Sequence, residues 1–207
     1  MTNPNHQEAL RPPQTYEDVL YSMYTLIDLE KLRDFDSLQG VQDVLRDPNF
    51  YDEDGVIQTP LEPRFSAWEH LDQYTKLETS QGIGAFKARG AQAGGETIMV
   101  NYPSTRYMCA YSAGNHGLGV AQFVKTWNQR VSRQGLGPHR LLQSHIFVSE
   151  KASADKVALL KNFEGHGSVL HLGGASLAEA GELCEKFLNA ANGKAPLYEP
   201  VAQLLHP

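Results

Sequence analysis

The sequence lacks the features that mark membrane, secreted and nucleic-acid-binding proteins. Its 207 residues carry a formal net charge of −6 and contain no run of basic side chains, which argues against nucleic acid as a partner. No apolar stretch approaches the roughly 18 residues that a membrane span needs. The polar, proline-rich N-terminus has no apolar core like that of a signal peptide. These absences predict a cytoplasmic protein with neither membrane nor nucleic acid as a partner.

Features of disulfide frameworks and metal sites are also scarce. The two cysteines, Cys109 and Cys184, match no disulfide framework and no paired-cysteine metal motif. Cys109 lies in the apolar stretch YMCAYS, so the simpler interpretation is a buried free thiol. The acidic run at 52–54 lacks the ligand order, glycine and closing glutamate of a calcium loop. We therefore expect a solvated acidic loop and no metal ligands.

The first 54 residues are predicted to form an N-terminal helical extension. Residues 1–14 are polar and are expected to be loose, whereas the stretch 15–35 has apolar residues at helical spacing. A second short helix is predicted at 39–46, and a loop over 46–63. No chemical motif stands out in this region.

From residue 64 onward, helices and short apolar strands alternate. The predicted strands are QYTKLE (73–78), RYMCAYS (106–112), LLQSHIFVS (141–149) and GSVLHLG (167–173). The predicted helices are RFSAWEHLD (64–72), FKARGAQAGGETIMVNY (86–102), GNHGLGVAQFVKTWNQRV (114–131), SADKVALLKNF (153–163) and SLAEAGELCEKFLNAA (176–191). Such alternation predicts an α/β fold, a parallel sheet with flanking helices.

Lys87 stands in an unusually bare setting, in the stretch GIGAFKARGA. Gly82 and Gly84 offer no side-chain cover and allow another group to approach the backbone. The segment follows a predicted strand, where open α/β sheets bind ligands. A lysine that is desolvated there has a lowered pKa, and its neutral amine can attack a carbonyl to form a Schiff base. A surface lysine on a helix is the plainer alternative.

A second small-residue stretch, SAGNHG (112–117), also follows a strand and opens a helix. A helix N-terminus presents unpaired N–H groups and a positive partial charge, and small residues let a carboxylate or phosphate reach them. Asn115 adds an amide that can donate or accept a hydrogen bond. A plain glycine-rich turn, or a domain that binds another phosphorylated ligand, remains an open alternative.

In this order, the two stretches resemble the fold-type II pyridoxal phosphate enzymes, whose fold is tryptophan synthase β-like. The resemblance is greatest to the threonine dehydratase and serine racemase group. It rests on TPLEP (59–63), KLETSQGIGAFKARGA (76–91), SAGNHGLGVA (112–121) and the segment 148–180, and it covers about residues 55–207. This region resembles the family's small domain and the start of its large domain.

The resemblance implies a role for each matching residue. Lys87 would hold pyridoxal 5′-phosphate as a Schiff base and then act as the base at the substrate α-carbon. Phe86 would pack beside the cofactor, and Asn115 would hydrogen bond the phenolic oxygen of its ring. The substrate carboxylate would be held by Ser112, Gly114, Asn115 and His116, mainly through backbone N–H groups. For the His116 side chain, a loop-fixing role is favoured over that of a general base.

Two departures from the family pattern bear on the reaction. Ala85 replaces a serine found in most relatives, which is a mild change. Ala113 stands where racemases of this group place a serine as their second acid–base residue, and alanine cannot move a proton. The resemblance therefore implies α,β-elimination from a hydroxy amino acid such as threonine or serine, as in an ammonia-lyase or dehydratase. A β-replacement enzyme and a degenerate, non-catalytic binding module are the alternatives.

The family's second half has no counterpart in this sequence. No stretch suits the glycine-rich loop that holds the cofactor phosphate, since that loop needs several glycines whose N–H groups converge. The C-terminal half of the fold is therefore expected to be missing. The chain would be a fragment, one part of a split enzyme, or inactive. We therefore predict that the chain forms a homo-oligomer or binds a complementing chain. An exposed apolar surface is expected where the missing part would pack.

Overall fold

The computed structural model of the protein describes Tyr51 and residues 55–63, 74–193 and 202–205. Four predicted stretches lie outside these residues: the helices at 15–35, 39–46 and 64–72, and the acidic run at 52–54. The described residues form a four-stranded parallel sheet with helices on both faces and a separate two-stranded ribbon. The prediction of an α/β fold with a parallel sheet and flanking helices is confirmed.

The parallel sheet contains β3 (Tyr107–Tyr111), β4 (Gln143–Val148), β5 (Ser168–Leu172) and β6 (Ala202–Leu204), in the order β5-β4-β3-β6. Its central strands, β3 and β4, are almost continuously buried, as expected for strands covered on both faces. Cys109 pairs in register with His145 on β4 and with Leu204 on β6. The sequence analysis did not predict β6, whose three residues are too short to show a pattern.

One face of the sheet is covered by helix α2 (Asn115–Arg133), on which helix α1 (Lys87–Asn101) packs. The two helices approach closely because their contact uses glycines: a Cβ on Gly95 would lie 2.4 Å from the Phe123 ring. A buried carboxylate also joins them, since Glu96 pairs with Arg130 and accepts a 2.7 Å hydrogen bond from Gln92. Helices α1 and α2 therefore form one packed pair.

Helix α4 (Leu177–Asn192) covers the opposite face and encloses a core of Cys109, Phe147, Ala180 and Cys184. Its start is a capping box, in which the Ser176 hydroxyl accepts a 3.2 Å bond from the Glu179 N–H. Glu179 in return accepts a 2.9 Å bond from the Ala175 N–H. The shorter helix α3 (Ala154–Lys161) contacts α2.

The ribbon corrects two predictions. Strand β1 (Leu61–Pro63) lies in the stretch predicted to be a loop, and it pairs antiparallel with β2 (Tyr74–Lys76). Of the strand predicted at 73–78, Tyr74–Lys76 form a strand, which lies outside the parallel sheet, and Glu78 instead begins a short 3-10 helix. Such pairing depends on a partner that the local sequence does not reveal. Among the described residues, no helix is both long enough and apolar enough to span a bilayer.

Candidate functional site

Lys87 is the first residue of helix α1, at the end of a tight turn. Gly84 has φ +70, in the left-handed region that glycine adopts without strain, and its N–H donates a 2.7 Å bond to the Gln81 carbonyl. The Lys87 side chain is half-buried, and its ammonium lies 5.5 Å from the centroid of the Phe86 ring. Phe86 itself is 61% exposed. Within the described ranges, the Phe86 ring is the contact recorded for the Lys87 ammonium, and no hydrogen bond or ion pair engages it.

The loop that follows β3 leads directly into the N-terminus of α2. The Ser112 N–H donates to the Phe147 carbonyl at 3.0 Å, and the Ser112 hydroxyl accepts a 3.2 Å bond from the Gly114 N–H. Gly114, the N-cap, supplies no side-chain bond, and the helix begins with a 3.3 Å bond from the Leu118 N–H to the Gly114 carbonyl. Asn115 is exposed. The first turn of α2 therefore presents backbone N–H groups and an amide side chain together.

The His116 side chain turns inward, away from this exposed turn. It is only 7% exposed, and its Nε2 lies 2.8 Å from the Leu205 carbonyl oxygen, next to the end of β6. A carbonyl only accepts, so Nε2 must carry the hydrogen of this bond. The imidazole thus ties the start of α2 to residue 205. This geometry supports the loop-fixing interpretation of His116.

The two motifs meet through the contact of α1 with α2. A Cβ on Gly119 would lie 3.1 Å from the Lys87 carbonyl oxygen and 3.0 Å from the Ala91 Cβ. A Cβ on Gly117 would lie 2.7 Å from the Ser112 carbonyl oxygen. Glycine at these positions lets the backbone that carries Lys87 touch the helix that carries Asn115. The close order of the motifs in the sequence therefore corresponds to direct packing in space.

Behind the lysine, a charged pair escaped the sequence analysis. Arg89 forms an ion pair with Glu78 at 2.9 Å, and the side chains are 15% and 19% exposed. Burial alone would raise the pKa of Glu78, but hydrogen bonds from Arg89 and Thr59 outweigh it and hold the pKa below its ordinary value. The sequence offered one signal for this pair: Glu78 and Arg89 carry opposite charges and lie near the two ends of the segment 76–91.

A second titratable cluster lies on the α4 face of the sheet. His145 Nδ1 and His171 Nε2 are 2.9 Å apart, and the His145 ring stacks on Phe187 with a centroid distance of 4.2 Å. Burial and, to a smaller extent, the charge of His171 lower the pKa of His145 to about 4. In the described part of the chain, no three His, Cys, Asp or Glu side chains are arranged to hold a metal. His145 is buried, whereas His171 and Phe187 are half-buried, and the three rings pack together under α4.

Three solved structures share the fold of this chain. Maize serine racemase matches with a TM-score of 0.55 and 21% identity over 88% of this chain. A processed threonine deaminase from Solanum lycopersicum matches with a TM-score of 0.53 and 24% identity over 79% of it. A pyridoxal 5′-phosphate-dependent aspartate racemase matches with a TM-score of 0.54 and 20% identity over 86% of it.

The chain has the fold of the fold-type II pyridoxal phosphate enzymes. It spans less than half the length of these solved structures, with 44%, 39% and 45% of their chains covered. No family model and no curated protein matches the sequence. At these identities the likeness establishes the fold alone, and the roles predicted for Lys87, Phe86 and the 112–116 loop stay predictions.

Proposed function

We propose that this chain supplies the lysine-bearing part of a pyridoxal-phosphate-dependent enzyme that acts on an amino acid. The reaction we assign to it is α,β-elimination from a hydroxy amino acid such as serine or threonine. The observation that carries the proposal is the packing of α1 against α2 at Gly119. It supports the proposal because the backbone that carries the half-buried Lys87 packs on the helix whose first residue is the exposed Asn115.

The side chains and backbone groups present fit the cofactor and an amino acid by their chemistry. The primary amine of Lys87 is a nucleophile for an aldehyde, and no acid in the described residues pairs with it. The exposed amide of Asn115 can donate to the phenolic oxygen of the cofactor ring. The N–H groups at the start of α2 suit a carboxylate, since they are uncapped and lie at the positive end of the helix.

When bound, the cofactor supplies an electron sink for the substrate α-carbon. Lys87 would hold the cofactor through its amine, and the same amine would act as the base for the substrate α-proton. The first turn of α2 holds the substrate carboxylate and so orients the α-carbon toward Lys87. Phe86, whose ring centroid lies 5.5 Å from the Lys87 ammonium, would pack beside the cofactor.

Elimination is favoured over racemisation because of Ala113. A racemase must return a proton to the opposite face of the α-carbon, and a methyl side chain cannot carry one. Elimination runs with a single base at Lys87. The contacts to the cofactor phosphate, for which these residues supply no glycine-rich loop, are assigned to a further segment or to a complementing chain.

Selective attachment of pyridoxal phosphate to Lys87 tests the proposal. The protein is mixed with pyridoxal 5′-phosphate and reduced with borohydride, and the modified peptides are mapped by mass. We expect Lys87 to be labelled ahead of the other lysines, and Lys87→Ala to abolish that preferred label. Serine or threonine turnover to a keto acid and ammonia, where it is present, should disappear in the same variant.

Lys156→Ala is the matched control, because Lys156 is an exposed lysine on α3. It should leave the labelling of Lys87 unchanged. Scattered labelling of surface lysines in the unaltered protein, or turnover that survives Lys87→Ala, would contradict the proposed function. A sulfur nucleophile added to the turnover assay separates elimination from β-replacement.

A further inference from the structure

The first turn of α1 is not held in the usual way. Its N-cap residue, Phe86, makes no side-chain capping bond, although Lys87 follows it directly. Its early N–H groups form tight-turn bonds, from Ala88 to the Ala85 carbonyl at 3.3 Å and from Arg89 to the Phe86 carbonyl at 3.1 Å. The Lys87 carbonyl also packs close to Gly119 of α2. Further side-chain contacts join this turn to residues 57–59 and 78.

Those contacts come from Arg89, which uses almost its whole guanidinium group. Its Nε and Nη2 each donate a 2.9 Å bond to Glu78, one to each carboxylate oxygen. Nη2 also lies 3.0 Å from the Thr59 hydroxyl and 3.3 Å from the Ile57 carbonyl oxygen. Nη1 reaches the Tyr51 hydroxyl at 3.4 Å. Such a two-pronged pair fixes orientation as well as distance, because the guanidinium and the carboxylate are both planar.

The partners of Arg89 are bonded to one another as well. The Thr59 hydroxyl donates a 2.7 Å bond to Glu78. The carboxamide of Gln81 brackets Ile57, accepting from its N–H at 3.1 Å and donating to its carbonyl at 2.9 Å. Gln81 is 3% exposed and Thr59 is 3% exposed. Residues 57–59, the short 3-10 helix Glu78–Ser80 and the start of α1 are thus joined in one polar network.

The network acts on Lys87 through the backbone and does not occupy its amine. Residues two apart on a helix point in directions that differ by about 200°. Arg89 therefore anchors the side of α1 that faces Glu78, and Lys87 projects from a different side. Both residues share the first turn of the helix, so a shift of that turn would move the lysine.

We propose that Arg89 and Glu78 are positioning residues for Lys87, which fix the first turn of α1 to residues 57–59 so that the amine is held where an aldehyde can meet it. This inference rests on the proposed function in taking Lys87 as the attachment point. The backbone part of the claim stands apart from the cofactor and can be measured without it.

The test compares Arg89→Met, Arg89→Lys and Glu78→Gln with the unaltered protein, and uses pyridoxal 5′-phosphate as the probe. We expect the initial rate of Lys87 labelling to fall by about tenfold or more in the Arg89 variants, since small misplacements cost rates of this order. Arg89→Lys keeps the charge but loses the planar fork, so it should not restore the rate. Glu78→Gln is the milder change, and it replaces Arg89→Met in the labelling experiment if Arg89→Met does not fold.

Hydrogen exchange supplies the second measurement. The amides of residues 86–90 should exchange faster in the Arg89 variants, while those of 120–131 in α2 stay protected. Arg106→Met is the matched control: Arg106 is half-buried and bonds only backbone carbonyls near β3, among them Thr105 at 2.7 Å. It should change neither the Lys87 labelling nor exchange at 86–90.

The outcomes separate the two proposals. If Lys87 is labelled selectively in the unaltered protein and equally fast in both Arg89 variants, the positioning inference is wrong and the proposed function stands. If the unaltered protein shows no selective labelling of Lys87, the proposed function is wrong, and hydrogen exchange alone tests the positioning inference. Faster exchange of amides 86–90 in Arg89→Met then supports the positioning inference, and unchanged exchange contradicts it.

Discussion

The α4 face of the parallel sheet carries two cysteines and two histidines. The buried residues of α2, on the other face, include the aromatic rings of Phe123 and Trp127 among aliphatic and small side chains. On the α4 face, the neighbouring Cys184 thiol and burial raise the pKa of Cys109 far above its ordinary value. Both cysteines are free and buried, as the sequence predicted for Cys109. On the α2 side, Lys87 is half-buried and Asn115 is exposed.

The shifted pKa values and the proposed ligand contacts thus lie in different parts of the molecule. The neighbouring Cys184 and burial shift the pKa of Cys109, and burial with the charge of His171 shifts that of His145. These side chains pack between the sheet and α4. The proposed site depends instead on an amine for which the described residues supply no acid partner, and on the exposed amide of Asn115. Three sets of variants test this difference.

The largest effect is expected on the α4 face, as a loss of stability in acid. The pKa of His145 is lowered from 6.5 to about 4 in the fold, so the unfolded chain takes up the proton first as the pH falls. Stability should be unaffected above pH 6.5 and should fall between about pH 6.5 and 4, by up to about 3 kcal/mol. Denaturation curves at several pH values measure this loss.

His145→Phe should remove most of this acid dependence, because the ring can keep its stacking on Phe187 without a proton to bind. The rings that contact His145 belong to Tyr107 on β3, His171 on β5 and Phe187 on α4. None of these three residues has a carboxylate that could stabilise a protonated imidazole. His139→Gln, at an exposed histidine, is the control and should retain the full slope. An unchanged slope in His145→Phe would place the acid sensitivity elsewhere.

A smaller loss is expected at the junction of α1 and α2. Gly119→Val would add atoms where even a Cβ lies 3.1 Å from the Lys87 carbonyl, and such overpacking costs about 1–3 kcal/mol. We also expect slower labelling of Lys87 by pyridoxal phosphate. Gly90→Val is the matched control, since nothing lies within 4 Å of a Cβ there. If the two variants unfold at the same denaturant concentration, the junction is looser than described.

The smallest effect is expected at the start of α4. Ser176→Ala removes the bond to the Glu179 N–H and should cost about 1 kcal/mol, without a change in the labelling of Lys87. Ser153→Ala is the comparison, because Ser153 is the N-cap of α3 but makes no side-chain capping bond. Thermal unfolding of both variants gives the difference, and equal midpoints would contradict the assignment of the capping box.

The sequence was sufficient for the elements whose pattern is local. Helices α1, α2, α3 and α4 and strands β3, β4 and β5 all lie where apolar spacing and glycines predicted them. It was insufficient where a distant partner decides. The pairing of β1 with β2 and the addition of β6 beside β3 depend on contacts across the chain.

The candidate site divides in the same way. The turn at Gly84 and the helix start at Asn115 follow from neighbouring residues, so the sequence could predict them. The Arg89–Glu78 network joins segments 11 to 38 residues apart. The 2.9 Å contact of His145 with His171 requires the register of β4 on β5. No local pattern contains that information.

The contact at Gly119 has a consequence for anyone who moves these motifs into another protein. A Cβ on Gly119 would meet the Lys87 carbonyl oxygen and the Ala91 Cβ, so the contact uses main chain and a single methyl group, which leaves little to trim in adjusting the fit. A graft of the lysine segment alone would meet a foreign helix with a foreign surface. The two helices are therefore a single transplantable module, and their spacing is inherited with glycine at position 119.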